Sequence, residues 1–200
     1  MKNIALVCNY TLNPARIGGM DRFFVAYDKA CKAKGFHVKW FFSSGEYFQF
    51  FDKLDMEISC HYPLEDYFLE FQKGNHWKFD IVITHFVELC TPFFKKIKKY
   101  DDVKIIAVDH NPRPINGFPL KKRLKNKVKG KLYSPFIDLF IGVSDYTKQQ
   151  ILKDYGQKLF SKTKVVYNGI AVEEYSKRQE SNHGKFIVAS HLRPSKGIKD

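Results

Sequence analysis

The chain has 200 residues and a formal net charge of +13, with 44% of its residues hydrophobic and 28% charged. This composition excludes an intrinsically disordered chain and predicts a folded domain with a sizeable core. The excess of positive charge indicates a polyanionic partner, which can be nucleic acid, anionic lipid headgroups or a phosphorylated small molecule.

The first part of the chain predicts a strand, a helix and a second strand. Residues 4–8 form a short apolar run that is typical of a buried strand. After the Gly18-Gly19 pair, apolar residues recur at the spacing of one helical face. Gly35 then suits a left-handed cap at the end of that helix, and residues 37–42 predict the next strand.

Further strands and helices alternate along the rest of the chain. Residues 79–84 and 103–108 are apolar runs typical of strands buried on both faces, and a helix rich in Phe and Lys is expected over 92–100. Residues 136–143 predict another strand, followed by a helix with Ser144 as its N-cap. Residues 164–167 predict a last short strand. This alternation predicts an α/β fold, a Rossmann-like parallel sheet with helices on both faces.

The sequence changes character near its end. We expect a first domain over residues 1–170 and a linker over 171–184, because the latter segment is polar and nearly free of aliphatic residues. Residues 185–190 read as a new strand, so residues 185–200 are expected to begin a second, truncated domain.

Cellular location can also be inferred from the sequence. The four cysteines are far apart with no CxxC pair, which favours reduced thiols over a disulfide scaffold or a zinc site. The apolar run at the N-terminus stops at Asn9, too early for a signal peptide, and no stretch has the length and apolarity of a membrane span. We expect a cytoplasmic protein whose contact with the inner face of the plasma membrane, if made, is peripheral.

Polar residues follow two of the predicted strands. His85 comes directly after one strand, and Asp109, His110, Asn111 and Arg113 follow the next. Ligands of open α/β sheets bind beyond the carboxyl ends of the strands, so these side chains are candidates for one site. The alternative for His85 is a packing role at the edge of the core, and the alternative for the glycine pair is a tight turn.

Six segments in this order resemble the retaining glycosyltransferases of family four, which have the two-domain GT-B fold. They are IGGMDRFFVAYDKACKAKGFHV, FDIVITHF, IIAVDHNPRP, FIGVSDYTKQQI, VVYNGI and IVASHLRPSKGIKD. The resemblance covers nearly the whole chain. It implies the N-terminal, acceptor-side half of a hexosyl-type transferase that moves a sugar from a nucleotide-sugar donor to a glycan or lipid-linked acceptor with retention. The implied role is in cell-surface polysaccharide synthesis, and this chain alone is expected to be inactive.

The resemblance also implies roles for individual residues. His110 and Asp109 are the implied catalytic residues. Lys196 and Arg193 are the implied contacts of the donor diphosphate, although His191 stands where the family commonly has a second phosphate-binding Arg. No Asp-x-Asp triplet is present, so neither a metal nor a cofactor is expected besides the nucleotide-sugar donor. The implied substrate-binding residues are Gly18, Gly19, His85, Asn111, Arg113, Ser144, Asn168 and Gly169.

One short segment concentrates positive charge without any acidic residue. Apolar residues recur in it every four positions, which predicts a helix lying on an anionic membrane surface. Each Lys or Arg near such a surface contributes about 1 kcal/mol. The alternative is a solvated helix face. The residues expected to face the membrane are Lys121, Lys122, Arg123, Lys125, Lys127, Lys129 and Lys131.

A rival hypothesis is a non-enzymatic basic α/β module that binds nucleic acid or another polyanion. It explains the net charge but leaves the histidines at two strand ends without a role. Aromatic residues are not interleaved with the basic residues of the cationic segment, and no nucleic-acid-binding motif is present. Nucleic acid is therefore not the expected partner.

Overall fold

A computed structural model of the protein describes residues 2–74, 78–100, 102–114 and 117–169. Within this part of the chain, seven parallel strands form a single sheet. The predicted linker, the start of the second domain, Arg193 and Lys196 lie outside the described residues. The strands are β1 (Asn3–Leu12), β2 (His37–Gly45), β3 (Met56–Ile58), β4 (Ile81–His85), β5 (Lys104–Asp109), β6 (Leu139–Gly142) and β7 (Thr163–Val165).

Helices connect these strands and cover both faces of the sheet, so the predicted fold class is confirmed. One face packs against the first helix, and the other packs mainly against the second, third and fifth. The helices are α1 (Gly19–Ala33), α2 (Leu64–Gly74), α3 (Pro92–Tyr100), α4 (Leu120–Tyr133) and α5 (Asp145–Tyr155).

The order of the strands places a crevice at one point of the sheet. The order is β3-β2-β1-β4-β5-β6-β7, so the chain changes direction across the sheet between β1 and β4. In parallel sheets the loops that leave two such strands diverge to opposite faces, and the gap between them is the usual ligand site. β4 ends at His85, which is paired with Cys8 of β1.

Residues of β1 alternate between two apolar cores, as a strand buried on both faces requires. Ala5 and Val7 belong to the core under α2, α3 and α5, while Leu6 and Cys8 belong to the core under α1. This alternation extends to the neighbouring strands because paired residues in register point to the same face. It therefore determines which face each residue at the carboxyl edge of the sheet occupies.

The boundaries of several elements differ from the sequence prediction. β1 continues past Cys8 through an irregularity in its pairing with β2. β6 is shorter than residues 136–143 because Ser134–Phe136 forms a 3₁₀ turn ahead of it. The last strand ends at Val165, and the side chain of Tyr167 beyond it is exposed.

The end of α1 has the predicted cap. Gly35 has φ 77°, in the left-handed region that favours glycine. The N–H of Phe36 donates to the carbonyl of Cys31 at 3.1 Å and that of Gly35 to Lys32 at 2.9 Å, which is a Schellman motif. These bonds stop the helix and direct the chain into β2.

Candidate functional site

His85 and His110 meet at the carboxyl edge of the sheet. His85 is in register with Val108 of β5, and His110 follows Val108 by two residues, so both histidines point to the same face. Nδ1 of His85 lies 2.9 Å from Nε2 of His110, within hydrogen-bond distance. The two histidines that the sequence indicated separately are therefore directly bonded partners.

Both imidazoles are neutral at neutral pH. Burial, together with the nearby imidazole of His110, lowers the pKa of His85 to about 3. Burial also lowers the pKa of His110 to about 4, although the carboxylate of Asp109 acts in the opposite direction. In a bond between two neutral rings one nitrogen donates and the other accepts, so the tautomer of each histidine determines that of its partner. His85 thereby decides whether Nδ1 of His110 is a donor or an acceptor.

An aromatic ring covers the histidine pair. The ring of Phe86 stacks on that of His110 with centroids 4.4 Å apart and an angle of 22° between the planes. Phe86 has φ 60°, a left-handed conformation that is costly for a bulky residue. Phe23 of α1 approaches His85 at 5.8 Å between ring centroids. The backbone strain at Phe86 is thus located where its ring holds the His110 imidazole.

The glycine pair lies at the same edge, since α1 begins at Gly19 and its residue Phe23 contacts His85. The N–H of Gly18 donates to Oδ2 of Asp21 at 2.7 Å, and this bond caps the helix. The backbone N–H of Gly18 is therefore already hydrogen-bonded within the protein and does not face a ligand. A Cβ on Gly19 would meet no heavy atom within 4 Å, so the space there is open.

Asp109 points to the opposite face from His110. Its Oδ2 accepts from Nη2 of Arg113 at 2.7 Å, and its Oδ1 accepts from the N–H of Asn111 at 2.9 Å. Nε of Arg113 donates to Oδ2 of Asp154 at 2.7 Å. The structure shows no hydrogen bond between the described Asp109 and His110, because adjacent residues at a strand end point in opposite directions. His85, and not Asp109, is therefore the residue placed to set the His110 tautomer.

The Asp109, Arg113 and Asp154 side chains form a buried ion cluster. Their exposed fractions are 2%, 7% and 7%. One guanidinium neutralises two carboxylates, and it also donates to the carbonyl of Asn111 at 2.7 Å. The cluster ties the segment after β5 to α5. Asp154 was not indicated by the sequence, because a lone carboxylate on a helix carries no signal of its distant partner.

A cavity of about 580 Å³ opens beside the histidine pair, and we call it the strand-end cavity. Among the predicted site residues it is lined by Asp109, Asn111, Arg113 and Lys122, of which Lys122 was expected to face the membrane. Neither described histidine lines it, but Phe86, whose ring covers His110, forms part of its wall. Residues that the sequence did not indicate complete the wall, among them Asn9, Glu88, Phe118, Asn126 and Tyr155.

The remaining predicted site residues lie further along the same edge. Oγ of Ser144 accepts from the N–H of Thr147 at 3.1 Å, so the predicted N-cap of α5 is confirmed. Asn168 and Gly169 are exposed and follow β7. None of these three lines the strand-end cavity within the described ranges.

The cationic segment is helical, as predicted. Asn126 and Gly130 are its buried residues, and a Cβ on Gly130 would lie 2.2 Å from the carbonyl oxygen of Tyr155, so α4 packs closely on α5. The apolar stripe points away from the domain. The exposed fractions of its residues are 72% for Leu120, 68% for Leu124, 58% for Val128 and 54% for Leu132.

None of the helices among the described residues has the length and apolarity to cross a membrane. In the same part of the chain, no three side chains of the types His, Cys, Asp or Glu are grouped so that they could hold a metal ion.

The fold is that of known glycosyltransferases. It is similar to the crystal structure of a glycosyltransferase from Rickettsia africae ESF-5, with a TM-score of 0.56 and 17% sequence identity. The match covers 86% of this chain and 44% of that one, so this chain spans less than half the length of that protein. No curated protein sequence matches the chain significantly.

Residues 17–174 match the family described as Glycosyltransferase Family 4. The match covers most of the chain, and it includes both histidines and the whole ion cluster. The chain belongs to this family.

Proposed function

We propose that this chain is the N-terminal, acceptor-side half of a glycosyltransferase with the GT-B fold. The enzyme transfers a hexosyl group from a nucleotide-sugar donor to a glycan or lipid-linked acceptor with retention of configuration, in cell-surface polysaccharide synthesis. The observation that carries the proposal is the bonded histidine pair beside the strand-end cavity, in a chain of this family. The proposed activity requires a second domain that binds the donor.

In this proposal His110 contacts the acceptor, and His85 positions the imidazole of His110. A neutral imidazole whose Nε2 is bonded to His85 keeps Nδ1 for a sugar hydroxyl, as donor or as acceptor. Asn111 lines the cavity and is available for other hydroxyls, whereas Asp109 and Arg113 hold the surrounding backbone in place.

The donor is bound mainly by residues outside this half. Lys196 and Arg193 are proposed to contact the donor diphosphate, where fixed cations stabilise the charge that grows on the leaving nucleoside diphosphate. The reaction is proposed to need no metal ion. Gly18, Gly19, Ser144, Asn168 and Gly169 are proposed to complete the substrate contacts along the carboxyl edge of the sheet.

Helix α4 is proposed to lie on the inner face of the plasma membrane. Its four-residue apolar stripe is exposed, and basic residues flank the stripe on both sides. A duplex of nucleic acid offers phosphates but no apolar surface for such a stripe, whereas a bilayer interface offers both. This location brings the cavity close to lipid-linked acceptors.

The membrane proposal is tested by sedimentation with vesicles of phosphatidylglycerol and phosphatidylcholine. Replacing Leu124 and Val128 by Asn is expected to weaken binding at least tenfold, because the apolar contact is lost while the charge is unchanged. Steeply salt-dependent binding to a duplex oligonucleotide, without vesicle binding, would favour the rival nucleic-acid module instead.

The transferase proposal is tested in the cells that produce the protein. His110→Ala at the chromosomal locus is expected to abolish the polysaccharide that depends on this gene, with unchanged protein abundance on an immunoblot. The exposed His61 provides the matched control, and His61→Ala is expected to have no effect. Normal polysaccharide in the His110→Ala strain would refute the assigned role.

A further inference from the structure

A second cavity, of about 490 Å³, adjoins the strand-end cavity, and we call it the lysine groove. Glu88, Lys122 and Asn126 line both cavities, so the two spaces are neighbours that share a wall. The other residues of the groove come from α4 and the residue before it. They are Pro119, Lys121, Lys125 and Lys129.

The lysine groove carries uncompensated positive charge. Four ammonium groups line it, against the single carboxylate of Glu88, which pairs with Lys129 at 2.7 Å. Nζ of Lys122 lies 4.1 Å from the ring centroid of Phe118. Within the described part of the chain, Lys121 and Lys125 have neither a hydrogen-bond nor an ion-pair partner for their ammonium groups. Two free cations in one concave surface attract an anion with several oxygen atoms.

Asn126 places a further hydrogen-bond donor at the wall that the two cavities share. The residue is only 3% exposed, yet it lines both cavities. Its side-chain amide makes no hydrogen bond to any described residue. The amide is not one of the buried polar atoms that lack a partner, so it is accessible from the cavities and open to a ligand there. The amide N–H₂ group and the lysine ammonium groups are all donors, so each of them needs an oxygen acceptor on the ligand.

We propose that the lysine groove binds a phosphate or diphosphate group of the acceptor, with Lys121, Lys122, Lys125 and Asn126 as its contacts. The sugar attached to that group then enters the strand-end cavity through the shared wall. This inference rests on the proposed function and narrows its acceptor to a phosphorylated class. Oxygen atoms of the phosphate accept from the Asn126 amide and from the free ammonium groups. The orphan N–H groups of the first turn of α4 add positive potential at this end of the helix.

The first arm of the test measures the affinity of the full 200-residue chain for inorganic pyrophosphate by isothermal titration calorimetry. Lys121→Gln with Lys125→Gln is expected to weaken binding at least tenfold, and Asn126→Ala about fivefold, since each removes donors to the same ligand. The matched control is Lys127→Gln with Lys131→Gln, which removes two charges from the same helix outside the groove. The control is expected to change affinity less than twofold.

Two results would overturn the inference. One is the absence of pyrophosphate binding by the unaltered chain. The other is an equal loss for the groove pair and the control pair, which would mean that net charge alone attracts the anion. Circular dichroism of Asn126→Ala verifies the fold, and the lysine pairs test the groove if that variant unfolds.

The second arm distinguishes a lipid-borne group from a free one. Vesicles of phosphatidylcholine are prepared with and without farnesyl diphosphate, and sedimentation of the chain is measured. A lipid-linked acceptor predicts enhanced sedimentation that the groove pair loses. Pyrophosphate binding without this enhancement would limit the site to soluble phosphorylated acceptors.

The inference and the proposed function fail separately. Transfer that requires His110, by a protein that does not bind pyrophosphate, would overturn the groove alone. Pyrophosphate binding by a protein whose His110→Ala form still supports polysaccharide synthesis would overturn the proposed function and retain an anion site.

Discussion

Removal of Arg113 is expected to destabilise the domain strongly. Arg113→Met keeps the length of the side chain but leaves Asp109 and Asp154 without their shared cation. The exposed fractions of these two side chains are 2% and 7%, so water cannot replace the guanidinium. Breaking a buried ion pair from one side costs about 3–5 kcal/mol, and here two carboxylates lose their partner.

We therefore expect the free energy of unfolding to fall by about 5 kcal/mol at pH 7. For a domain of this size the melting temperature falls by about 10 °C or more. Urea denaturation followed by circular dichroism measures the change. Arg123→Met is the matched control, because Arg123 is exposed on α4 and makes no ion pair with any described residue. A loss below 1 kcal/mol would refute the account of the ion cluster.

Three further predictions concern the edge of the sheet and the two helices beside it. Gly130→Ala is expected to cost about 1–3 kcal/mol in urea denaturation, because its Cβ would lie 2.2 Å from the Tyr155 carbonyl oxygen and force α4 from α5. Equal or higher stability would contradict that packing. Ser144→Ala removes the α5 cap and is expected to cost about 1 kcal/mol in the same assay, whereas Ser144→Asp retains most of the stability. Stability is expected to fall as the pH drops from about 6.5 towards 4, because the folded pKa values of His85 and His110, about 3 and about 4, lie below the unfolded value, so the unfolded chain binds protons first. His85→Phe is expected to reduce that slope, and an unchanged slope would show that other groups cause it.

The sequence predicted most of the strands because strands buried on both faces are apolar throughout. It also predicted most of the helices, and the helix expected over residues 92–100 has the same bounds as α3. β3 and α2 were not predicted. β3 has three residues, all of them half-buried, and the alternation that identifies a strand needs a longer run.

The histidine pair was indicated only as two residues at strand ends. The two side chains meet because the register of β4 with β5 places them next to each other on the same face of the sheet. A sequence pattern does not specify that register. Asp109 shows the limit most clearly, because the resemblance implied a catalytic role for it beside His110, whereas its carboxylate bonds to Arg113 on the other face. The partner Asp154 lies 41 residues further along the chain from Arg113, beyond the reach of any local pattern.

The central claim is that the strand-end cavity holds the acceptor and not the donor. The decisive measurement is steady-state transfer from radiolabelled UDP- and GDP-sugars to a lipid extract of the producing cells by the complete enzyme purified from those cells, with Asn111→Ala compared with the native sequence. The account predicts at least a tenfold higher KM for the extract and an unchanged KM for the nucleotide sugar. A higher KM for the nucleotide sugar, with the KM for the extract unchanged, would contradict it.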